Sequence, residues 1–242
     1  MLENQIAIVT GGAVGIGTAI AERFVEDGAT VVIADIDEDA GSEVADEIGC
    51  TFAHCDVREY DQVESLVDGV VDDHGRLDVV VNNAGISSVT SVEEMDLEEW
   101  EAVLETNLDG VMHGTKAALP HLKETDGCII NLGSIYGLVG GKGAASYSAA
   151  KGGVINFTQQ VAIDYADQGV RVNSICPGFV ETPMTEDLLE DERFYNFLEQ
   201  KTPMDRHGQP EEIAPMAAFL ASEEASYITG ANIPIDGGWT AF

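Results

Sequence analysis

Short apolar runs alternate along the chain with longer stretches in which apolar residues recur every three or four positions. The runs at Ile6–Val9, Thr30–Ala34, Thr51–His54, Asp78–Val81, Cys128–Leu132, Arg171–Ile175 and Asn232–Pro234 predict strands. Between them, helical periodicity extends over about 16–27, 38–48, 59–73, 98–123, 146–167 and 210–221. Strands alternating with helices predict an α/β fold: a doubly wound, seven-stranded parallel sheet with helices on both faces. No linker, repeat or low-complexity stretch interrupts the pattern, so residues 1–242 are expected to form a single domain. Two helices are apolar on more than one stripe. Trp100, Val103, Leu104, Leu108, Val111 and Met112 mark the first, and Val154, Ile155, Phe157, Val161, Ile163 and Tyr165 the second. One stripe can meet the sheet and the other calls for a further partner, so self-association is expected.

Composition changes this picture in one respect. Against a globular 45% of hydrophobic residues stand 44 Asp plus Glu and only 11 Lys plus Arg, a formal charge of −33. Such a charge repels itself and is relieved by salt screening, which predicts a protein suited to a high-salt cytosol. It also disfavours nucleic acid and anionic membranes as partners. The acidic run EDLLEDE at 186–192 is expected to be a solvated face. No apolar run approaches the roughly 20 residues that span a bilayer, and MLENQIAIVT lacks the features of a secretory leader, so a cytoplasmic location is expected. Cys50, Cys55, Cys128 and Cys176 lie in or beside apolar runs without CxxC spacing, which predicts buried thiols. The histidines show no metal-binding pairing, so no metal is expected.

Candidate chemistry starts at TGGAVGIG, residues 10–17, directly behind the first strand. Clustered glycines there mean a tight turn, positive φ, or a ligand against the main chain. In a doubly wound sheet this turn receives a dinucleotide pyrophosphate at a helix N-terminus, which makes Gly11, Gly15, Ile16 and Gly17 candidates. Asp35 closes the second strand 18 residues after Gly17, where an acid binds an adenosine ribose 2′-hydroxyl. Ala13, Val14, Ile36 and Asp37 offer no cation for a 2′-phosphate, so NAD is favoured over NADP. The competing reading makes Asp35 a helix cap before DEDA. Tyr147 and Lys151 in SYSAAKGG stand four apart, on one helix face. Alone that spacing equally describes a surface contact. Ser134, however, lies 13 residues earlier at a predicted strand end, where this architecture places ligands.

TGGAVGIG, Asp35, NNAG at 82–85, Asn107, Ser134, YSAAK, PGFVET at 177–182 and the closing IPIDGG occur in order across nearly the whole chain. Together they resemble the classical short-chain dehydrogenase/reductases, with a Rossmann-like fold. The resemblance implies hydride transfer between a secondary alcohol, sugar or polyol and the corresponding ketone. Tyr147 would be the acid/base, Lys151 would lower its pKa and bind the nicotinamide ribose, and Ser134 would hold the substrate oxygen. Asn107 would anchor a water leading to Lys151, or else be a buried scaffold residue. Asp56 and Val57 would face the adenine. Ile36, Asn83, Ala84 and Gly85 would border the cofactor, and Ile175, Pro177, Gly178, Val180 and Thr182 the nicotinamide side. Asn82 and Asn83 have scaffold roles as their alternative. Residue 133 is Gly where relatives often carry Ser or another small residue. The family also implies a homo-oligomer, a tetramer by resemblance.

Residues 183–208 mix Leu188, Leu189, Phe194, Tyr195, Phe197 and Leu198 with acids and are expected to form an amphipathic substrate lid. With Tyr136, Val139 and Phe179 they suggest a partly apolar pocket for a small-molecule substrate. A 3-oxoacyl thioester stays open as substrate, although so acidic a chain suits an acidic carrier protein poorly. From another class, a dinucleotide sensor without catalysis would use the same fold but would need no phenol beside an ammonium.

Overall fold

A computed structural model of the chain describes residues 1–241. In chain order the elements are β1 (Ile6–Thr10), α1 (Gly15–Glu26), β2 (Thr30–Asp35), α2 (Glu38–Ile48), β3 (Thr51–His54), α3 (Tyr60–His74), β4 (Val79–Asn82) and α4 (Leu97–Leu104). A π-turn (Glu105–Asp109) leads into α5 (Gly110–Thr125), followed by β5 (Cys128–Leu132), α6 (Ile135–Leu138), α7 (Ala145–Tyr165) and β6 (Arg171–Pro177). The chain ends with α8 (Glu186–Glu190), α9 (Glu192–Lys201), α10 (Pro210–Ala221) and β7 (Asn232–Ile235). The strands form one parallel sheet of order β3-β2-β1-β4-β5-β6-β7. Order reverses between β1 and β4, and the crevice at their carboxyl ends is where such a sheet binds ligands.

Period-two alternation in the strands divides the core into two layers. Ala7, Val9, Val31, Ile33, Val79, Val81 and Ile130 pack on one face with Ile20 and Phe24 of α1 and Ala217 and Leu220 of α10. Ile8, Val32, Val80, Ile129 and Val172 pack on the other with Val63 and Val67 of α3, Leu122 of α5 and Val161 of α7. Val103 and Val111 on the first long helical stretch and Val154 and Val161 on the second are buried, whereas Trp100, Leu104, Leu108, Met112 and Ile155 are half-buried and Ile163 stays 75% exposed. Asp78, buried ahead of β4, accepts from the Ile6 backbone N–H at 2.8 Å and is paired with Arg76, which closes the amino end of the sheet.

Two expectations need correction. The helix expected over 98–123 runs unbroken from Leu97 to Thr125 but contains the π-turn, whose fifth-residue closure shifts the helix phase, and Asn107 within it is fully buried. The run EDLLEDE is not simply a solvated face: Leu189 packs on Ile135, Leu198 and Trp239, while Asp191 caps α9 by accepting from Arg193 and Phe194 N–H. No described helix is long and apolar enough to cross a membrane. All four cysteines are free, and three are buried.

Candidate active site

The glycines of the Gly-rich turn serve positive φ and close packing. Gly11 and Gly15 take positive φ, at +64° and +62°, a conformation that side chains disfavour. Gly17 has an ordinary φ, but a Cβ there would lie 2.0 Å from the Gly11 carbonyl oxygen, so helix α1 can pack on its own entry loop only without one. Val14 precedes the helix and offers no side-chain cap, and the first turn of α1 contains no acid despite the chain's composition. An uncapped, acid-free helix N-terminus is a site for an anion.

A cleft of about 370 Å³ opens above this turn. Gly11, Gly15, Ile16, Asp35, Ile36, Asp56, Val57, Asn83, Ala84, Gly85 and Thr182 line it. Asp35 is not the α2 cap; Asp37 fills that role by accepting from the Ala40 N–H. The Asp35 carboxylate instead accepts from the Ala13 N–H at 3.1 Å, so it is anchored to the Gly-rich turn while facing the cleft. Arg58, which the sequence reading did not single out, also lines this cleft and holds Asp56 in a two-pronged pair, with Nη2 2.5 Å from Oδ2. That guanidinium keeps the Asp56 carboxyl below its ordinary range. The missed signal was the two-residue spacing of DVR, which allows a local pair.

The cleft continues past Ile16, Asn83, Gly85 and Thr182 into a cavity of about 110 Å³ bordered by Ser134, Tyr147, Lys151, Pro177, Gly178 and Val180. Ser134 ends the β5 segment and caps α6, accepting from the Tyr136 N–H. Its hydroxyl also reaches that of Tyr147, which lowers the phenol pKa, but desolvation is the larger effect and leaves it raised. Lys151, on the next turn of α7, is 4% exposed and donates from Nζ to the Leu132 carbonyl at 2.7 Å. Burial brings its pKa down to about 8. Its Nζ lies 5.7 Å from the Tyr147 ring centre.

Two expected site residues stand one layer back. Gly17 packs against the Gly11 carbonyl and Asn83 rather than lining the cleft. Asn107 binds the Ile86 backbone with both ends of its amide, accepting from N–H and donating to the carbonyl at 2.8 Å each. Its oxygen would lie 3.2 Å, and Lys151 Nζ 3.6 Å, from a Cβ placed on Gly85, so the three meet at one point. Asn82 has a scaffold role, donating to Asn131, and Asn83 ties β4 to the Gly-rich turn by donating to the Thr10 and Gly11 carbonyls. Ile175 lies fully buried in β6 beneath this region. Gly133 is bare because Ser174 Oγ occupies the adjoining space, 2.7 Å from where its Cβ would stand.

Beyond Tyr147 a third cavity of about 90 Å³ is lined by Ser87, Ser88, Val89, Tyr136, Phe179, Met184 and Leu188. Its outer wall belongs to an aromatic cluster in which Phe179 contacts Tyr136, Phe194 and Trp239. Ser87, Ser88 and Met184 were also outside the expected set; Met184 borders all three cavities. Among the described residues, no group of three or more His, Cys, Asp or Glu is arranged to hold a metal ion.

Comparison with known proteins agrees with this geometry. Residues 11–240 match the family model described as enoyl-(acyl carrier protein) reductase. The chain is 43% identical over 242 residues to meso-2,3-butanediol dehydrogenase of Serratia marcescens, covering 99% of this chain and 96% of that protein. It is 40% identical over 243 residues to a 3-oxoacyl-(acyl-carrier-protein) reductase of Thermotoga maritima, covering 98% of each. A crystal structure of a short-chain type dehydrogenase/reductase from Mycobacterium marinum superposes with a TM-score of 0.94 at 35% identity, covering 100% of this chain and 97% of that one.

Proposed function

Because the chain belongs to the short-chain dehydrogenase/reductase family and is an oxidoreductase of the alcohol/ketone type, we propose that it interconverts a small secondary alcohol and its ketone using NAD(H). The observation that carries this reading is the unbroken run of cavities from Asp35, past the uncapped N-terminus of α1, to Ser134, Tyr147 and Lys151. The residues fit a nicotinamide dinucleotide: the bare Gly-rich turn for a pyrophosphate, Asp35 for a ribose diol, and Pro177, Gly178, Val180 and Thr182 beside the far end. When bound, NAD supplies the hydride acceptor. Tyr147 takes the alcohol proton in oxidation and returns it in reduction, while Ser134 donates to the substrate oxygen. Lys151 holds the ribose and, as an ammonium, favours the phenolate. Asn107 positions these groups by fixing the Ile86 backbone beside Gly85.

The preference for NAD rests on Asp35, since a 2′-phosphate there would meet a carboxylate. Arg58 does not reverse this, because Asp56 engages its guanidinium. Residues 183–208, with α8 and α9, act as a lid over the substrate, its two stems joined by the Val180–Gly208 bridge. The exposed Ile163 supports a homo-oligomer, and the charge of −33 supports work in a salty cytoplasm. The reductase of Thermotoga maritima favours a 3-oxoacyl thioester as second reading, but no basic side chain lines the substrate cavity to receive an acidic carrier. Turnover of secondary alcohols with NAD, followed by nicotinamide absorbance and lost in Tyr147→Phe, tests the proposal. Tight NADH binding without turnover on a broad panel would favour the sensor reading.

A further inference from the structure

The third cavity has features that narrow the substrate further, on the premise that Ser134 and Tyr147 mark the reacting carbon. It contains no ionic side chain, and its volume of about 90 Å³ leaves room for only a few water-sized groups. Both facts favour a short, neutral molecule over a carboxylate, phosphate or long thioester. One hydroxyl in its wall is polarised. Ser88 donates its proton to the Glu99 carboxylate of α4. A serine has a single proton to give, so the Ser88 oxygen offers the cavity only lone pairs.

We infer that Ser88, oriented by Glu99, is a specificity-determining residue that accepts a hydrogen bond from a second hydroxyl next to the reacting carbon, making the substrates short vicinal diols and α-hydroxyketones. In the oxidising direction, one carbinol carbon gives up a hydride to NAD and its oxygen gives up a proton to Tyr147. The neighbouring hydroxyl is unchanged and stays bonded to Ser88. A plain ketone has nothing to donate to Ser88, and a diketone brings a second acceptor against it. Glu99 keeps this polarity fixed, because a carboxylate accepts from Ser88 and has no proton to return.

The test is reduction of butanone, 3-hydroxy-2-butanone and 2,3-butanedione with NADH, by wild type, Ser88→Ala and Glu99→Ala. Wild type should prefer the hydroxyketone to butanone in kcat/KM by about tenfold or more, as expected for one hydrogen bond within a closed site. In Ser88→Ala that ratio should fall toward one. In Glu99→Ala, where the serine proton is free to turn inward, the diketone should gain relative to the hydroxyketone. Equal use of butanone and hydroxyketone by wild type, or a ratio that Ser88→Ala leaves in place, would overturn the inference while the dehydrogenase reading stands. Reduction of none of the three, nor of any other ketone or thioester tried, would overturn both. Circular dichroism of each variant separates a changed preference from a failure to fold.

Discussion

Lys151 should make the protein less stable than it would be without it. Its side chain is 4% exposed, and its ammonium finds one protein partner at hydrogen-bond distance, the Leu132 carbonyl. Burial lowers its pKa from 10.5 to about 8, so holding the charge in the folded protein near neutrality costs about 3 kcal/mol. Lys151→Met removes that cost with a side chain of similar length, at the loss of about 1 kcal/mol for the hydrogen bond to Leu132. The variant without cofactor should thus be about 1–2 kcal/mol more stable near neutral pH, a rise of several degrees in Tm. Below the folded value of about 8, Lys151 is protonated in both folded and unfolded states and the full penalty applies. Between about 8 and 10.5 the unfolded chain binds a proton that the folded chain has released, so wild-type stability rises with pH relative to the variant. Thermal melts of both proteins across that range, in multimolar KCl, follow the difference and cancel other titrations. A variant less stable at neutral pH, or a difference that does not change with pH, would refute the reasoning. Activity should fall steeply in the same variant if Lys151 has the proposed role, as for a group kept at the expense of stability.

Three other substitutions or conditions follow from the same geometry. Gly17→Ala should destabilise the protein by about 2–3 kcal/mol and weaken NADH binding, since its Cβ would stand 2.0 Å from the Gly11 oxygen; fluorescence titration beside urea unfolding checks both. Asp35→Ser should move the NAD-to-NADP ratio of kcat/KM by roughly tenfold or more toward NADP, because it removes the carboxylate proposed to face the ribose 2′-hydroxyl. Stability should rise as KCl is added to a chain of charge −33, and a Tm that falls with added KCl would count against the high-salt reading.

Much of this architecture was legible because each strand is a compact apolar run and each crossover has helical periodicity. All seven strands lie within two residues of their expected bounds. The site was legible where a residue type is forced by local geometry: glycine at positive φ in the turn, and Tyr147 and Lys151 on successive turns of α7. What periodicity could not show was the π-turn at Asn107, since one added residue changes phase without changing composition. Nor could it show contacts made across the chain. Ser88 lies on a loop and its partner Glu99 on α4, in a sequence where acids are everywhere. Leu188 and Leu189 stood out as apolar positions among the five acids of EDLLEDE, but periodicity could not say that one lines the third cavity and the other packs in the aromatic cluster. The state of Tyr147 and Lys151 also depends on burial, which raises the phenol pKa and lowers that of the ammonium and is a property of the folded chain alone.

The central claim is hydride transfer between NAD and a small secondary alcohol with Tyr147 as acid/base, and its direct test is nicotinamide absorbance in multimolar KCl for wild type and Tyr147→Phe. The account predicts turnover by wild type, with at least a roughly 10³-fold loss in the variant and NADH binding retained. Equal turnover by the two proteins, or binding of NADH with no turnover of any alcohol or ketone by wild type, would contradict it.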